Sequence, residues 1–291
     1  MTKILITGAN GQLGCEIRAL SEASGHTFIF TDKEELDITD QEAVKAFFAS
    51  EKPDFCINCA AYTAVDKAEE DREMASLINE TAARTLATAA AKNNCGFVHI
   101  STDFVFGGSQ TGLLNEEAET RPVNFYGESK LQGEVAVKEA HPEAVIMRTS
   151  WLYSSFGGNF VKTMLRLGAE RDELGVVADQ VGTPTYARDL ARVALAAIGQ
   201  LQSEKADQIK GQLLHYSNEG TASWYDFAHA IFEYAGIAIN LRPIRTEEYP
   251  TPADRPRLSV MDKAKIKDRM QLSIPHWRES LQDCLQILKV S

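Results

Sequence analysis

The residues Lys3-Ile4-Leu5-Ile6-Thr7 form a short apolar run, which turns through Gly8-Ala9-Asn10-Gly11-Gln12-Leu13-Gly14 into a helix-like stretch near 11–24. Strand, glycine turn and helix, in that order, constrain the fold more than any other part of this chain. Glycine permits a tight turn and a close approach of backbone. The exposed N–H groups and the dipole at a helix start favour a phosphate. In that context Gly8, Gly11 and Gly14 predict a turn that holds a dinucleotide pyrophosphate, with a ligand-free glycine turn as the alternative.

The pattern that follows supports the first reading. Strand-like segments at 3–7, 27–32, 55–60, 97–102 and 144–149 alternate with helical patterns near 11–24, 40–51, 71–93 and 126–141. Connections this long between short apolar strands imply parallel pairing with helical crossovers on both faces. The expected fold class is α/β, a doubly wound parallel sheet of the Rossmann type. Ligands of such sheets bind beyond the carboxyl ends of the strands, so Gly8–Gly14, Asp32, Ala60–Thr63 and Ser101–Asp103 should converge on one crevice. After Trp151 the pattern loosens into helices near 159–171, 188–200, 223–235 and 277–289, a strand at 211–216 and a Pro-rich stretch at 250–256. Residues 1–150 are expected to form the dinucleotide-binding domain. Residues 151–291 are expected to form mainly a smaller C-terminal substrate lobe, with one segment returning to the sheet.

Composition narrows the partners. The net charge of −11 without a Lys/Arg block argues against nucleic acid. No window approaches the ~20 apolar residues of a membrane span, and residues 1–30 lack a signal-peptide pattern. The five cysteines are an odd number, which suits a reducing cytosol better than a disulfide framework, and a cytoplasmic protein is expected. Cys56-x-x-Cys59 lies within a strand-like run, where core thiols are the better reading than a redox or zinc pair.

Two further groups carry chemistry. Asp32 ends the second strand, where a carboxylate can accept from ribose hydroxyls and favour NADH, while Lys33 beside it leaves NADPH open. Asp37 and Ile38 either flank an adenine or belong to the helix start before Asp40. Tyr126 and Lys130 stand four residues apart on one helix face. A unit positive charge about 4 Å from a phenol is worth roughly 4 kcal/mol at an effective dielectric of ~20. That is about three pKa units, enough to bring a tyrosine from ~10 to near neutrality. The phenol would then protonate an alkoxide as it forms, with Lys130 free to bond a nicotinamide ribose. An ordinary surface pair is the alternative. At the end of the fourth strand Thr102, the residue that leaves the strand, is freer than Ser101 to donate to a substrate carbonyl; strand-end capping is its alternative. The six histidines show no metal spacing, and no metal ligand is assigned.

These residues resemble the extended short-chain dehydrogenase/reductase superfamily, and within it the dTDP-4-dehydrorhamnose reductase family. The likeness is carried by the segments Cys59-Ala60-Ala61-Tyr62-Thr63-Ala64-Val65-Asp66-Lys67-Ala68-Glu69, Ser101-Thr102-Asp103-Phe104-Val105-Phe106, Tyr126-Gly127-Glu128-Ser129-Lys130 and Arg148-Thr149-Ser150-Trp151-Leu152-Tyr153. Asn159-Phe160-Val161-Lys162-Thr163-Met164, Asp179-Gln180-Val181-Gly182-Thr183-Pro184-Thr185 and Thr221-Ala222-Ser223-Trp224-Tyr225-Asp226-Phe227 continue it in family order. The resemblance implies reduction of the C4 ketone of dTDP-4-dehydro-L-rhamnose by NADH or NADPH. By the same resemblance Gly11, Gln12 and Leu13 would hold the pyrophosphate, and Asp32, Asp37, Ile38, Ala61, Tyr62 and Thr63 the rest of the cofactor. Tyr126 would be the proton donor, Lys130 its partner, and Thr102, Asp103 and Trp151 the substrate contacts. Phe104 departs from the tyrosine of many relatives. Some members bind magnesium at an oligomer contact; a homodimer and Mg2+ are open here on resemblance alone.

For a nucleotide diphosphate the available cations near these segments are Lys162, Arg255 and Arg257. Trp151 and Trp224 could stack on a sugar or base, although Trp224 reads better as a core aromatic at a helix start. Two rival functions share the fold: a nucleotide-sugar 4-epimerase or dehydratase with tightly held NAD, and a non-catalytic, cofactor-binding regulatory subunit.

Overall fold

The structure, a computed structural model, describes residues 1–22, 24–108 and 110–290. Positions 23 and 291, which fall within the expected helix 11–24 and the expected lobe 151–291, lie outside the described residues. The first half alternates as expected: β1 (Lys3–Thr7), α1 (Gln12–Ser21), β2 (Thr27–Thr31), α2 (Gln41–Glu51), β3 (Phe55–Asn58), α3 (Arg72–Ser76), α4 (Ala83–Lys92), β4 (Gly96–Thr102), α5 (Phe125–Ala140) and β5 (Val145–Thr149). The second half adds β6 (Leu152–Tyr153), α6 (Phe160–Glu170), β7 (Glu173–Val177), β8 (Val181–Gly182), β9 (Thr185–Tyr186), α7 (Ala187–Leu201) and β10 (Leu213–His215). It ends with β11 (Ala222–Ser223), α8 (Trp224–Ala235), β12 (Asn240–Ile244), α9 (Ala264–Met270) and α10 (Trp277–Val290).

Six parallel strands form the central sheet in the order β10-β5-β4-β3-β1-β2. Its strands are near-continuous apolar runs because both faces are covered. Alternate residues supply each face: Ile4, Ile6, Val98, Val145 and Met147 pack with α1 and α7, whereas Leu5, Cys56, Phe97 and Ile146 pack with α2 and α4. A third core of Tyr153, Val161, Phe227, Ile231, Trp277 and Leu281 belongs to the second half. The chain thus returns α7 and the strand β10 to the sheet layers, with Ile266 of α9 packed into the same core. Short pairs β7/β12, β8/β11 and β6/β9 stiffen the rest of that half. Pairs this short leave little periodicity in the sequence. Among the described residues no helix is long and apolar enough to cross a membrane.

The chain leaves β1 toward β2 on one side and crosses back to β3 on the other, so the sheet splits between β1 and β3. There Gly8 has φ +64, and a Cβ on it would lie 2.7 Å from the backbone of Ala60. Only glycine meets both demands.

The expected helix 71–93 is not one helix. A π-helical turn, Leu77–Ala82, separates α3 from α4. The widened turn carries the buried side chain of Asn79 inward, where it accepts from Tyr62 N at 2.8 Å and donates to Tyr62 O at 3.1 Å and Ser129 Oγ at 2.9 Å. On its other side the turn meets α5 so closely that a Cβ at Gly133 would strike the carbonyl of Asn79. Gly133→Ala is therefore expected to cost about 1–3 kcal/mol, the usual penalty of overpacking against backbone that cannot yield. Urea unfolding should show a lower midpoint at unchanged slope; a wild-type midpoint would mean that α5 can back away freely.

Candidate active site

A cavity of about 1190 Å³ opens at the carboxyl ends of the strands and reaches into the second half. Its walls include Gly8, Gly11, Gln12, Leu13 and Gly14 from the first turn, and Asp32, Asp37 and Ile38 from the segment after β2. No side chain caps α1 at Gly11, so the N–H groups at its start are left to a ligand or to solvent. That is the donor set a pyrophosphate needs. Asp32 is braced by its neighbours: Oδ2 accepts from Asn10 N at 3.0 Å and Oδ1 from Lys33 N at 2.8 Å. The next segment serves the start of α2 and the cavity wall alike. Asp40 is the cap of α2, accepting from Glu42 N and Ala43 N, while Asp37 and Ile38 face the cavity. Two bonds from Thr39 hold the Asp37 carboxyl below its ordinary pKa.

Ala61 and Thr63 border the cavity, but Tyr62 between them does not. Its ring packs with Ala68 and Tyr126 instead, and its hydroxyl donates to Asp71 Oδ2 at 3.2 Å. A cofactor contact through the Tyr62 side chain is thus not what this geometry offers; Asn79 grips its backbone. Cys56 is buried in the sheet and Cys59 borders the cavity; among the described residues all five cysteines are free.

Thr102, Asp103, Tyr126 and Lys130 share one wall. Tyr126 and Lys130 lie a turn apart on α5, whose start Asn124 caps by accepting from Gly127 N at 2.8 Å. Thr102 does two things: Oγ1 accepts from Phe104 N and donates to Asp103 Oδ1, both at 3.2 Å. Ser101, which also borders the cavity, donates to Glu134 Oε1 at 2.5 Å. The expectation that Lys130 draws the phenol toward neutrality fails in this state. Burial pushes Tyr126 up to about 12 against a bond from Thr102, and Asp103 adds to the rise. The ammonium of Lys130 donates to Ile100 O at 2.7 Å instead, and burial lowers its pKa to about 8. Phe104, at the departure from tyrosine, sets its ring edge-on to Tyr126 at 5.4 Å. Asp103 is buried with Oδ2 lacking a hydrogen-bond partner, and burial raises its carboxyl to about 7.

The second half supplies the opposite wall. Trp151, at φ +46, lies flat on Trp224 with centroids 3.6 Å apart, and both rings border the cavity. Trp224, the first residue of α8, packs against the second-half core as expected of a helix start and also borders the cavity. Of the three cations proposed for a diphosphate, only Arg255 borders the cavity. Its guanidinium is bidentate to Asp66, at 2.6 and 2.8 Å, so it ties the second half to the segment after β3. Arg257 pairs with Glu247 instead. Asn159 makes a second tie, donating to Gln12 Oε1 at 3.0 Å. Among the described residues no cluster of His, Cys, Asp and Glu is placed to hold a metal ion.

This geometry has close counterparts. The family described as RmlD substrate binding domain matches residues 1–290. A dTDP-4-dehydrorhamnose reductase from Aggregatibacter actinomycetemcomitans is 40% identical over 97% of this chain and 98% of its own length. A crystal structure of a dTDP-4-dehydrorhamnose reductase from Clostridium acetobutylicum superimposes with a TM-score of 0.94 at 44% identity, covering 99% of this chain and 100% of that one. One from Bacillus anthracis, solved in complex with NADP, gives 0.93 at 40% identity over 99% and 100%. Full-length likeness in sequence and in fold shows that the chain belongs to the dTDP-4-dehydrorhamnose reductase family of the extended short-chain dehydrogenases/reductases.

Proposed function

We propose that this chain reduces the C4 ketone of dTDP-4-dehydro-L-rhamnose to dTDP-L-rhamnose with NADH or NADPH. The observation that carries this reading is a single cavity that joins the uncapped start of α1 to Thr102, Tyr126 and Lys130. Gly8, Gly11, Gln12, Leu13 and Gly14 cradle the pyrophosphate, Asp32 takes the adenosine ribose, and Asp37 and Ile38 flank the adenine. Ala61 and Thr63 line the way toward Tyr126. A bound reduced nicotinamide supplies the hydride. Tyr126, whose raised pKa keeps it protonated at neutral pH, gives its proton to the ketone oxygen. Thr102 donates a hydrogen bond to the same oxygen, and Lys130 supports the phenol once the proton has left. Asp103 and Trp151 contact the sugar. Residues 1–150 form the cofactor half and 151–291 mainly the substrate half. Cysteines that are free among the described residues support a cytoplasmic setting.

Three measurements test this assignment. Tyr126→Phe should lower kcat by about 10²–10⁴-fold with little change in binding, and retention of more than about a third of wild-type kcat would remove it from the proton step. Asp32→Ala should move the ratio of kcat/KM values toward NADPH by about tenfold, as roughly 1.4 kcal/mol of carboxylate–phosphate repulsion is relieved. An unchanged ratio would mean that Asp32 does not meet the ribose. Finally, NADH oxidation followed with the dTDP-linked ketone should show a far higher kcat and a lower KM than with the free 6-deoxy-4-keto sugar, because remote binding energy orients the ketone. Failure of both NADH and NADPH to reduce the dTDP-linked ketone would overturn the reductase reading; equal turnover of the free sugar would remove the nucleotide handle.

A further inference from the structure

Behind the catalytic wall lies a buried ionic network that the reaction as described does not use. One turn beyond Lys130 on α5 stands Glu134, and both side chains are buried. They reach consecutive residues of β4: Lys130 donates to Ile100 O at 2.7 Å, and Glu134 accepts from Ser101 Oγ at 2.5 Å. Arg148 on β5 grips the carboxylate from the other side, Nε to Oε1 at 2.8 Å and Nη2 to Oε2 at 2.7 Å. The guanidinium in turn lies over the ring of Phe106, 5.0 Å from its centroid, and within 3.4 Å of His215 Nε2 on β10.

A buried ion pair of this kind is weak evidence for stability, since desolvation offsets much of the attraction. Its placement asks for another account. Residues four apart on a helix are neighbours, and Lys130 and Glu134 are fixed to one strand at adjacent positions. We propose that Glu134, clamped by Arg148 and Ser101, is a positioning residue for Lys130: it is the buried counter-charge that keeps the lysine an ammonium at the cavity wall. The other ionisable groups that face Lys130 cannot serve. Burial pushes the Cys59 thiol, after β3, up to about 12, and burial with the nearby ammonium holds His99 on β4 well below its ordinary value, so both are neutral. Tyr126, on its own helix, is held protonated. Around Glu134 itself the charged neighbours are Lys130 and Arg148, because burial drives His215 down to about 3 and leaves it uncharged. Glu134 thus opposes the desolvation that lowers Lys130 to about 8.

This inference rests on Lys130 acting in the reduction, but its test has a readout independent of turnover. Labelling of Lys130 by acetic anhydride between pH 5 and 11, quantified by peptide mass spectrometry, gives the pH at which the amine becomes reactive. In wild type that point should fall near 8. In Glu134→Gln it should drop by about one pH unit or more, since the anion is lost and Arg148 stands unopposed. As that variant buries an unpaired cation, the double variant Glu134→Gln/Arg148→Met, which removes both charges, should fold and still show the drop. With the dTDP-linked ketone, the high-pH limb of kcat should move down by the same amount, so that the ratio of rates at pH 8 and pH 6 falls about fivefold for one unit. A purely structural role would lower kcat alike at every pH. A labelling midpoint unchanged within a few tenths in the folded double variant overturns the proposal. Absence of turnover in wild type would overturn the reductase reading, while the labelling still decides the role of Glu134.

Discussion

One buried amide holds the site together. Asn79 accepts from and donates to the backbone of Tyr62 and donates to Ser129, whose hydroxyl bonds Tyr126 O at 2.8 Å. The segment after β3 and the helix that carries Tyr126 are thus referred to a single side chain. A regular α-helix at this place would not present Asn79 inward in the same way, and the π turn is the local cost of doing so. The closeness of α5 then follows, and with it the absence of a side chain at position 133. Displacing this amide would shift both walls of the cavity at once, because it would leave the buried Ser129 hydroxyl and the part-buried backbone of Tyr62 without their shared partner.

Electrostatics around the cavity follow from burial more than from charge. The chain is acidic overall, and the cations on the cavity wall are Lys33, Lys130 and Arg255. Arg255 is neutralised by Asp66 and Lys130 faces Glu134. Anionic ligands must therefore be met largely by N–H groups and by the start of α1, which favour phosphate by geometry. Low dielectric does the rest: it keeps Asp103 and Tyr126 protonated to unusually high pH and makes every hydrogen bond in the wall count for more.

Much of this was legible in the sequence, for definite reasons. The strands and helices of the sheet half announce themselves because fully buried strands are uniformly apolar and their crossovers are long. Gly8 and Gly14 are visible because a Cβ at either would strike backbone, and Gly11 completes their spacing. Tyr126, Lys130 and Thr102 could be placed on one wall from helix spacing and strand ends alone. What stayed hidden depends on contacts between distant segments. Nothing local marks Asn79, Glu134 or the Asp66–Arg255 pair, since each takes its meaning from a partner many residues away. The tuning of Tyr126 is not legible from helix spacing, because it depends on burial and on the Ile100 carbonyl that engages Lys130. Trp224 follows a capping box, Ser223 with Asp226, which identifies a helix start but not the face its first residue shows.

The returning strand β10 has a consequence for how the molecule is made. β5 is buried along its whole length, and its outer edge is closed only when Leu213–His215 pairs with Ile146–Arg148. On a ribosome the nucleotide-holding half therefore emerges with an open, apolar sheet edge that persists through some sixty further residues of synthesis. Open edges of that kind invite pairing with other chains. A fragment cut at the apparent half-way boundary would carry the same defect permanently, together with a bare patch where α7 belongs.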